Sequence, residues 1–420
     1  MKWLSGLLCL ALAAQPSAEN LASFEKVWST VRDRYWDVKK LENLGGGRSW
    51  QTVHDEFALR LQKTESDREA RAVMTEMLGL LGQSHFAILA GDIDDDLTPV
   101  HAGDGSPGID PVWAEGKVLV RGVRNASGSA RAGVQLGWEI VKIDQFEVRS
   151  AVQRVATRRT LRQREVLLRM LVLGHLSGTP GSAANVVFEN GAGQQVTRKI
   201  VRDQPQGTQA RFGFLPPMIV DFETRRPRPN TGYVRFNVFL DPAGLMAKFE
   251  DSVKSCLKCD GFIVDLRGNP GGLAILGASM AGFFINQQDT KLGTLYQRDL
   301  NLKLFVNPRL ENFRGPLAVL VDGASVSTSE IMAGGLQDLK RARVFGTPTA
   351  GAALPSMVER LPNGDLFQYA MANYISEGGR VLEGVGVVPD QPVVTTQSIL
   401  LKGKDPVLEA ALDWIHAQKR

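Results

Sequence analysis

An α/β core preceded by a helical domain and a small β domain is the architecture that the 420 residues predict, and three patterns predict it. Apolar residues recur at helical spacing through residues 19–98. Short alternating runs broken by glycine fill 106–204. Apolar runs separated by helical segments fill 208–420, as expected of strands buried on both faces.

In the helical part, Phe24, Val27, Trp28, Val31 and Tyr35 lie on one stripe, and 53–61 and 70–81 repeat the pattern. Glycines and prolines between 98 and 112 end it. The β part alternates over 117–123 and closes with a hairpin over 185–202. An Arg-rich amphipathic helix spans roughly 150–174, with Arg154, Arg158, Arg159, Arg162, Arg164 and Arg169. Such a face is either solvated or turned to an anionic membrane surface. The core supplies strands near 233–236, 261–266, 317–321 and 343–345, and a final helix with Pro406 in its first turn.

Before residue 19 the order is Lys2, an apolar stretch over 3–14, then small residues, which is the order of a secretory signal peptide over 1–18. The mature chain is therefore expected outside the cytoplasm, periplasmic or secreted. It keeps Cys256 and Cys259, which suit a local disulfide or two free thiols better than a redox pair or half a zinc site. The 49 Lys and Arg against 45 Asp and Glu leave a net charge of +4, too slight an excess to imply a nucleic-acid partner. No cofactor loop or metal motif is present. Residues 92–96 start like a calcium loop but lack its glycine and glutamate, and read as a solvated acidic turn.

Two turns could do chemistry. Asp322-Gly-Ala-Ser-Val-Ser-Thr-Ser-Glu330 runs from a buried strand into a helix, where free N–H groups favour a developing oxyanion. Ser325, Ser327 and Ser329 are its hydroxyls, and helix capping is their other use. Asp265-Leu-Arg-Gly-Asn-Pro-Gly-Gly272 follows a second buried strand and lets backbone N–H groups approach a ligand. A nucleophilic serine needs a base. Of the five histidines, His85 stands at a helix break next to Ser84.

These turns, together with Gly384-Val-Gly-Val-Val-Pro-Asp390, resemble the C-terminal processing (tail-specific) peptidases, and residues 108–144 resemble the PDZ domain many of them carry. The resemblance implies a core of crotonase or caseinolytic-peptidase type, an N-terminal helical domain (19–98), an inserted PDZ-like β domain (106–204) and a serine peptidase core (208–420). It points to Ser327 as nucleophile, with Gly271 or Gly272 and the Thr328 N–H as oxyanion hole. The family's lysine is missing, because Ala352 stands in its place in Gly346-Thr-Pro-Thr-Ala-Gly-Ala352. What remains is similar to the tricorn-core branch, which implies that His85 is the base, Ser84 its orienting group and Glu383 the outer carboxylate. An imidazole base implies a rise in kcat/KM near pH ~6.5. Gly108 and Ile109 would receive a peptide carboxylate. The expected function is an exported endopeptidase acting on polypeptides, with a homo-oligomer left open. The alternative is a catalytically inactive protein of the same fold that binds a peptide or an apolar ligand.

Overall fold

The computed structural model describes residues 16–90, 103–158 and 161–418, without the side chains of 158 and 161–163. Most of the expected signal peptide, the acidic turn 92–96, and the side chains of Arg158, Arg159 and Arg162 lie outside the described residues. The chain divides into two units, Met1–Asp92 with Ser356–Met371, and Ile93–Pro355 with Ala372–Arg420.

In the first unit the helices Ala18–Arg34, Trp50–Leu61 and Asp67–Gly79 each begin at a serine. Ser17, Ser49 and Ser66 accept the N–H three residues on, a cap that contributes about 1 kcal/mol each. Trp28 and Trp50 exchange indole N–H bonds to each other's carbonyls at 3.1 and 3.0 Å, which lets both rings be buried without an orphan donor. The sequence assigned 356–371 to the core. Instead, Ser356–Arg360 and Leu366–Ala370 form a hairpin that pairs with Ala87–Leu89. Its Leu361, Phe367 and Tyr369 are buried in one cluster with Phe24, Val31 and Met74, and Arg71 forms a bidentate pair with Asp365. Apolar burial against the helices accounts for this placement.

The second unit holds a β module and an α/β layer. The module's sheet runs Ile109–Ala114, Lys117–Val123, Glu139–Ile143, Ala183–Glu189, Gln195–Val201, each antiparallel to the next. Helices Val148–Arg158 and Leu161–Leu176 belong to the same module. The main sheet of the α/β layer has six strands in the order Phe222–Arg228, Thr231–Phe236, Gly261–Asp265, Leu317–Val321, Arg343–Gly346, Gln391–Pro392. Only its first pair is antiparallel.

Residue alternation sorts this sheet's two faces. Phe262, Val264, Leu317, Val319 and Val321 pack with Leu245, Phe249, Leu276, Ile331 and Leu336 of helices Pro242–Lys254, Ala274–Ala281 and Thr328–Asp338. Ile263, Ala318 and Leu320 pack with Leu408, Ala411 and Ile415 of helix Pro406–Ala417. Strands buried on both faces explain the unbroken apolar runs in the sequence. Cys256 and Cys259 form a disulfide just beyond helix Pro242–Lys254.

Candidate active site

Strands Gly261–Asp265 and Leu317–Val321 are parallel neighbours, so their C-terminal turns emerge side by side. Asp322 ties the two together: its Oδ1 accepts the N–H of Gly268 at 2.8 Å and of Ala324 at 3.0 Å. Its Oδ2 accepts Arg121 Nη1 at 2.7 Å. Asn269 adds a second tie, because its carbonyl accepts the Val326 N–H at 3.0 Å.

The three serines of the second turn separate by their partners. Ser325 Oγ donates to the Leu266 carbonyl at 2.8 Å, and Ser329 Oγ to the Asn269 carbonyl at 2.9 Å. Both are fully buried and lace one turn to the other. Ser327 is partly exposed, and its hydroxyl donates no hydrogen bond among the described residues. Its backbone sits at φ 56° and ψ −116°, a conformation that a non-glycine residue adopts only when its surroundings hold it there.

Glu330 supplies much of that hold. Its Oε2 accepts the N–H of Ser327 at 3.0 Å and of Ala352 at 2.9 Å. Its Oε1 accepts the Gly351 N–H at 2.7 Å and Thr349 Oγ at 2.6 Å. Burial pushes this carboxyl up to about 7, while all four donors favour the charged form. The Ser327 N–H is shared with the Ala352 carbonyl at 2.9 Å, so the 349–352 loop and the Ser327 turn form one rigid piece.

The oxyanion candidates also separate. Gly271 N–H donates to Asn269 Oδ1 at 2.9 Å and is therefore spent on the turn itself. Gly272 N–H and Thr328 N–H carry no hydrogen bond among the described residues, and Thr328 opens its helix, where the first N–H groups lack helical partners. Thr328 Oγ donates to the Gly272 carbonyl at 2.8 Å, holding the two residues together. Gly271 sits at φ 93°, and a Cβ there would lie 2.8 Å from Ser327 Cβ, so only glycine fits between.

Glu383 lies in the neighbouring loop. Its Oε2 accepts the Ala353 N–H at 3.1 Å, and the Gly384 N–H donates to the Gly351 carbonyl at 2.8 Å. Ser327, Ala352 and Glu383 are thus brought together by backbone bonds within one unit. In the first unit, Ser84 Oγ and His85 Nδ1 are 2.7 Å apart, and His85 has φ 59° just beyond helix Asp67–Gly79. Desolvation pushes the His85 imidazole down to about 4, so the ring is neutral over the physiological range.

Gly108 and Ile109 open an edge strand of the β module. The Gly108 carbonyl accepts the Arg124 N–H at 2.8 Å, and its N–H donates to Ser106 Oγ at 3.2 Å. Ile109 is buried in the module's core. Farther along the strand, Pro111 has no N–H, and its carbonyl accepts Arg169 Nη1 at 2.5 Å. These residues are engaged by the module's own fold. Arg169, expected on a basic face, turns inward to Asp110 at 2.8 Å, because a buried carboxylate there needs partners. The groups that sequence reasoning missed are Glu330, Asp322, Asn269 and Thr349. The Ser327–Glu330 spacing of a capping box was the signal for the first.

Residues 230–393 match peptidase family S41, and residues 16–79 match the tricorn protease C1 domain. A carboxyl-terminal-processing protease of Synechocystis sp. is 30% identical over 208 residues, which is 47% of this chain and 47% of that protein. The alignment thus spans about half the length of that relative. Among solved structures, the photosystem II D1 C-terminal processing protease covers 94% of this chain and 97% of its own, with a TM-score of 0.57 at 21% identity. The tricorn protease covers 96% of this chain and 37% of its own, with a TM-score of 0.53 at 17% identity. These two likenesses show a shared α/β fold with mixed sheets.

Proposed function

We propose that this chain, which carries a peptidase family S41 domain, is a serine endopeptidase that cleaves polypeptides through an acyl-enzyme on Ser327. The observation that carries the reading is the sorting of three serines. Ser325 and Ser329 are hydrogen-bonded into the scaffold, while Ser327 presents an uncommitted hydroxyl on a strained turn beside two open N–H groups.

In this reading the Ser327 hydroxyl attacks the scissile carbonyl, and His85 Nε2 takes its proton. The N–H groups of Gly272 and Thr328 receive the oxyanion. The amine leaves with the proton from His85, and water then attacks the ester in a second round of the same proton transfers. A Nδ1–H donated to Ser84 Oγ leaves Nε2 as the acceptor, and Ser84 in turn donates to Glu383. The resemblance to the tricorn core supports these last two roles, and the 2.7 Å Ser84–His85 separation suits them. Ala352 replaces the family lysine, and its backbone instead fixes Glu330 and Ser327.

The β module is PDZ-like in this reading, and export to the periplasm or exterior rests on the sequence of residues 1–18. No helix among the described residues is long and apolar enough to cross a membrane. A fluorophosphonate probe tests the proposal. Covalent labelling mapped to Ser327 and lost in Ser327→Ala supports it, and an unlabelled wild-type protein, as a pure binding protein would be, overturns it.

A further inference from the structure

Helix Leu161–Leu176 of the β module reaches both catalytic turns with two residues one helical turn apart. A Cβ on Gly323 would collide with the Glu165 carboxyl, so that carboxyl lies directly against the turn leading into Ser327. The Gly323 N–H favours the charged form of that carboxyl. A Cβ on Gly268 would collide with the Arg169 guanidinium, so that group lies directly against the turn leading into Gly272. Arg169 is itself fixed by Asp110 at 2.8 Å and by the Pro111 carbonyl. Asp110 is shared with Arg121 at 2.9 Å and Arg235 at 2.8 Å. Arg121 then returns to Asp322, which holds the Gly268 N–H.

We propose that Glu165 and Arg169 are positioning residues that set the nucleophile turn and the oxyanion turn against each other, Glu165 acting as an uncharged acid. The inference rests on Ser327 being the nucleophile and adds the element that aligns it. The charge state follows from the neighbours. Arg121, Arg267, Asp322 and Glu115 line the cleft that Glu165 faces. Asp322 is paired with Arg121 and accepts two N–H bonds, and the Glu165 carboxyl shares that buried site with it. Burial and the Asp322 charge push Glu165 up to about 8, against the pull of the Gly323 N–H and Arg121. Ionisation above that pH sets two like charges against Gly323 and moves the turn that carries Ser327.

The test follows fluorophosphonate labelling of Ser327 against pH in the full chain. The wild-type rate is expected to fall above about pH 8, and in Glu165→Gln, which keeps an uncharged carbonyl acceptor, that fall is expected to vanish. Glu165→Ala should label slower than wild type at pH 7, on the order of ten-fold, with Gln restoring the rate. A wild-type rate flat to pH 10, or an alkaline fall that persists unchanged in Glu165→Gln, overturns the inference while leaving the peptidase reading intact. Equal labelling of Glu165→Ala and wild type at pH 7 does the same. Absence of wild-type labelling at every pH overturns the peptidase reading itself.

Discussion

Ser327 and Glu330 clasp each other across the first turn of their helix: the Ser327 N–H donates to the Glu330 carboxylate at 3.0 Å, and the Glu330 N–H donates to the Ser327 carbonyl at 2.8 Å. The carboxylate also accepts from Thr349, Gly351 and Ala352, so a single buried side chain fixes the turn and the loop facing it. The positive φ at Ser327 persists because these bonds over-determine it.

Glu330→Gln is expected to be costly on both counts. Three of the four partners are backbone N–H groups, with at least one on each carboxylate oxygen, so the amide NH2 of glutamine must face an N–H donor whichever way it turns. A loss of about 2–4 kcal/mol in stability is expected, together with a fall in kcat larger than any rise in KM. Denaturant melts and steady-state kinetics measure both. A variant within ~0.5 kcal/mol of wild type would show that the clasp does not hold the turn.

The serines predict opposite signatures. Ser327→Ala should abolish turnover and labelling at a stability cost below about 1 kcal/mol, since its hydroxyl donates no bond. Ser325→Ala and Ser329→Ala remove buried donors from the Leu266 and Asn269 carbonyls and should cost about 1–3 kcal/mol each while still being labelled. Labelling that survives in Ser327→Ala and vanishes in Ser325→Ala would move the nucleophile.

Much of this arrangement was legible in the residues. Strands such as 317–321 read as buried because both faces meet helices, and the two turns lie side by side because their strands are parallel neighbours. Periodicity located the N-terminal helices for the same reason, a single apolar stripe facing one core. What stayed hidden depends on partners far along the chain. The hairpin 356–371 joins helices that precede it by almost 300 residues, as the Arg71–Asp365 pair shows with its separation of 294. Arg169 turns inward because Asp110, 59 residues away, needs it. A glycine-rich turn also does not say which N–H stays open; Asn269 Oδ1 decides that by engaging Gly271 and leaving Gly272.

The pH profile follows from His85. If His85 is the base it works when neutral, and desolvation lowers its pKa from 6.5 to about 4, so the protonated form gains population only at lower pH. The acid limb of kcat/KM should therefore fall toward about 4 rather than near the ~6.5 of free imidazole. The same shift makes folding less favourable as pH drops from the unfolded value toward the folded one, because the unfolded chain binds the proton first. A limb at 6.5 that disappears in His85→Ala would mean the ring is solvated in the working enzyme. One near 7 that shifts in Glu330→Gln would belong to Glu330 instead.

The outer members of the relay allow the sharpest separation of a chemical from a structural role. Glu383 Oε2 accepts the Ala353 N–H at 3.1 Å, a structural duty. In Glu383→Gln the side-chain carbonyl can still accept that bond, so stability should stay within ~0.5 kcal/mol of wild type. What the amide lacks is the negative charge that would polarise Ser84. If Ser84 and Glu383 act in one chain behind His85, Glu383→Gln and Ser84→Ala should each lower kcat, though less than His85→Ala, because a misoriented imidazole still accepts the proton part of the time. The two losses should also overlap, since either change breaks the same chain of bonds, and the double variant should be little worse than the poorer single one. A loop carboxylate with no chemical role gives a kcat equal to wild type in Glu383→Gln. Two independent roles give losses that multiply. The double-mutant cycle on kcat, read beside the melts, distinguishes all three, and only overlapping losses at unchanged stability keep Ser84 and Glu383 in the relay.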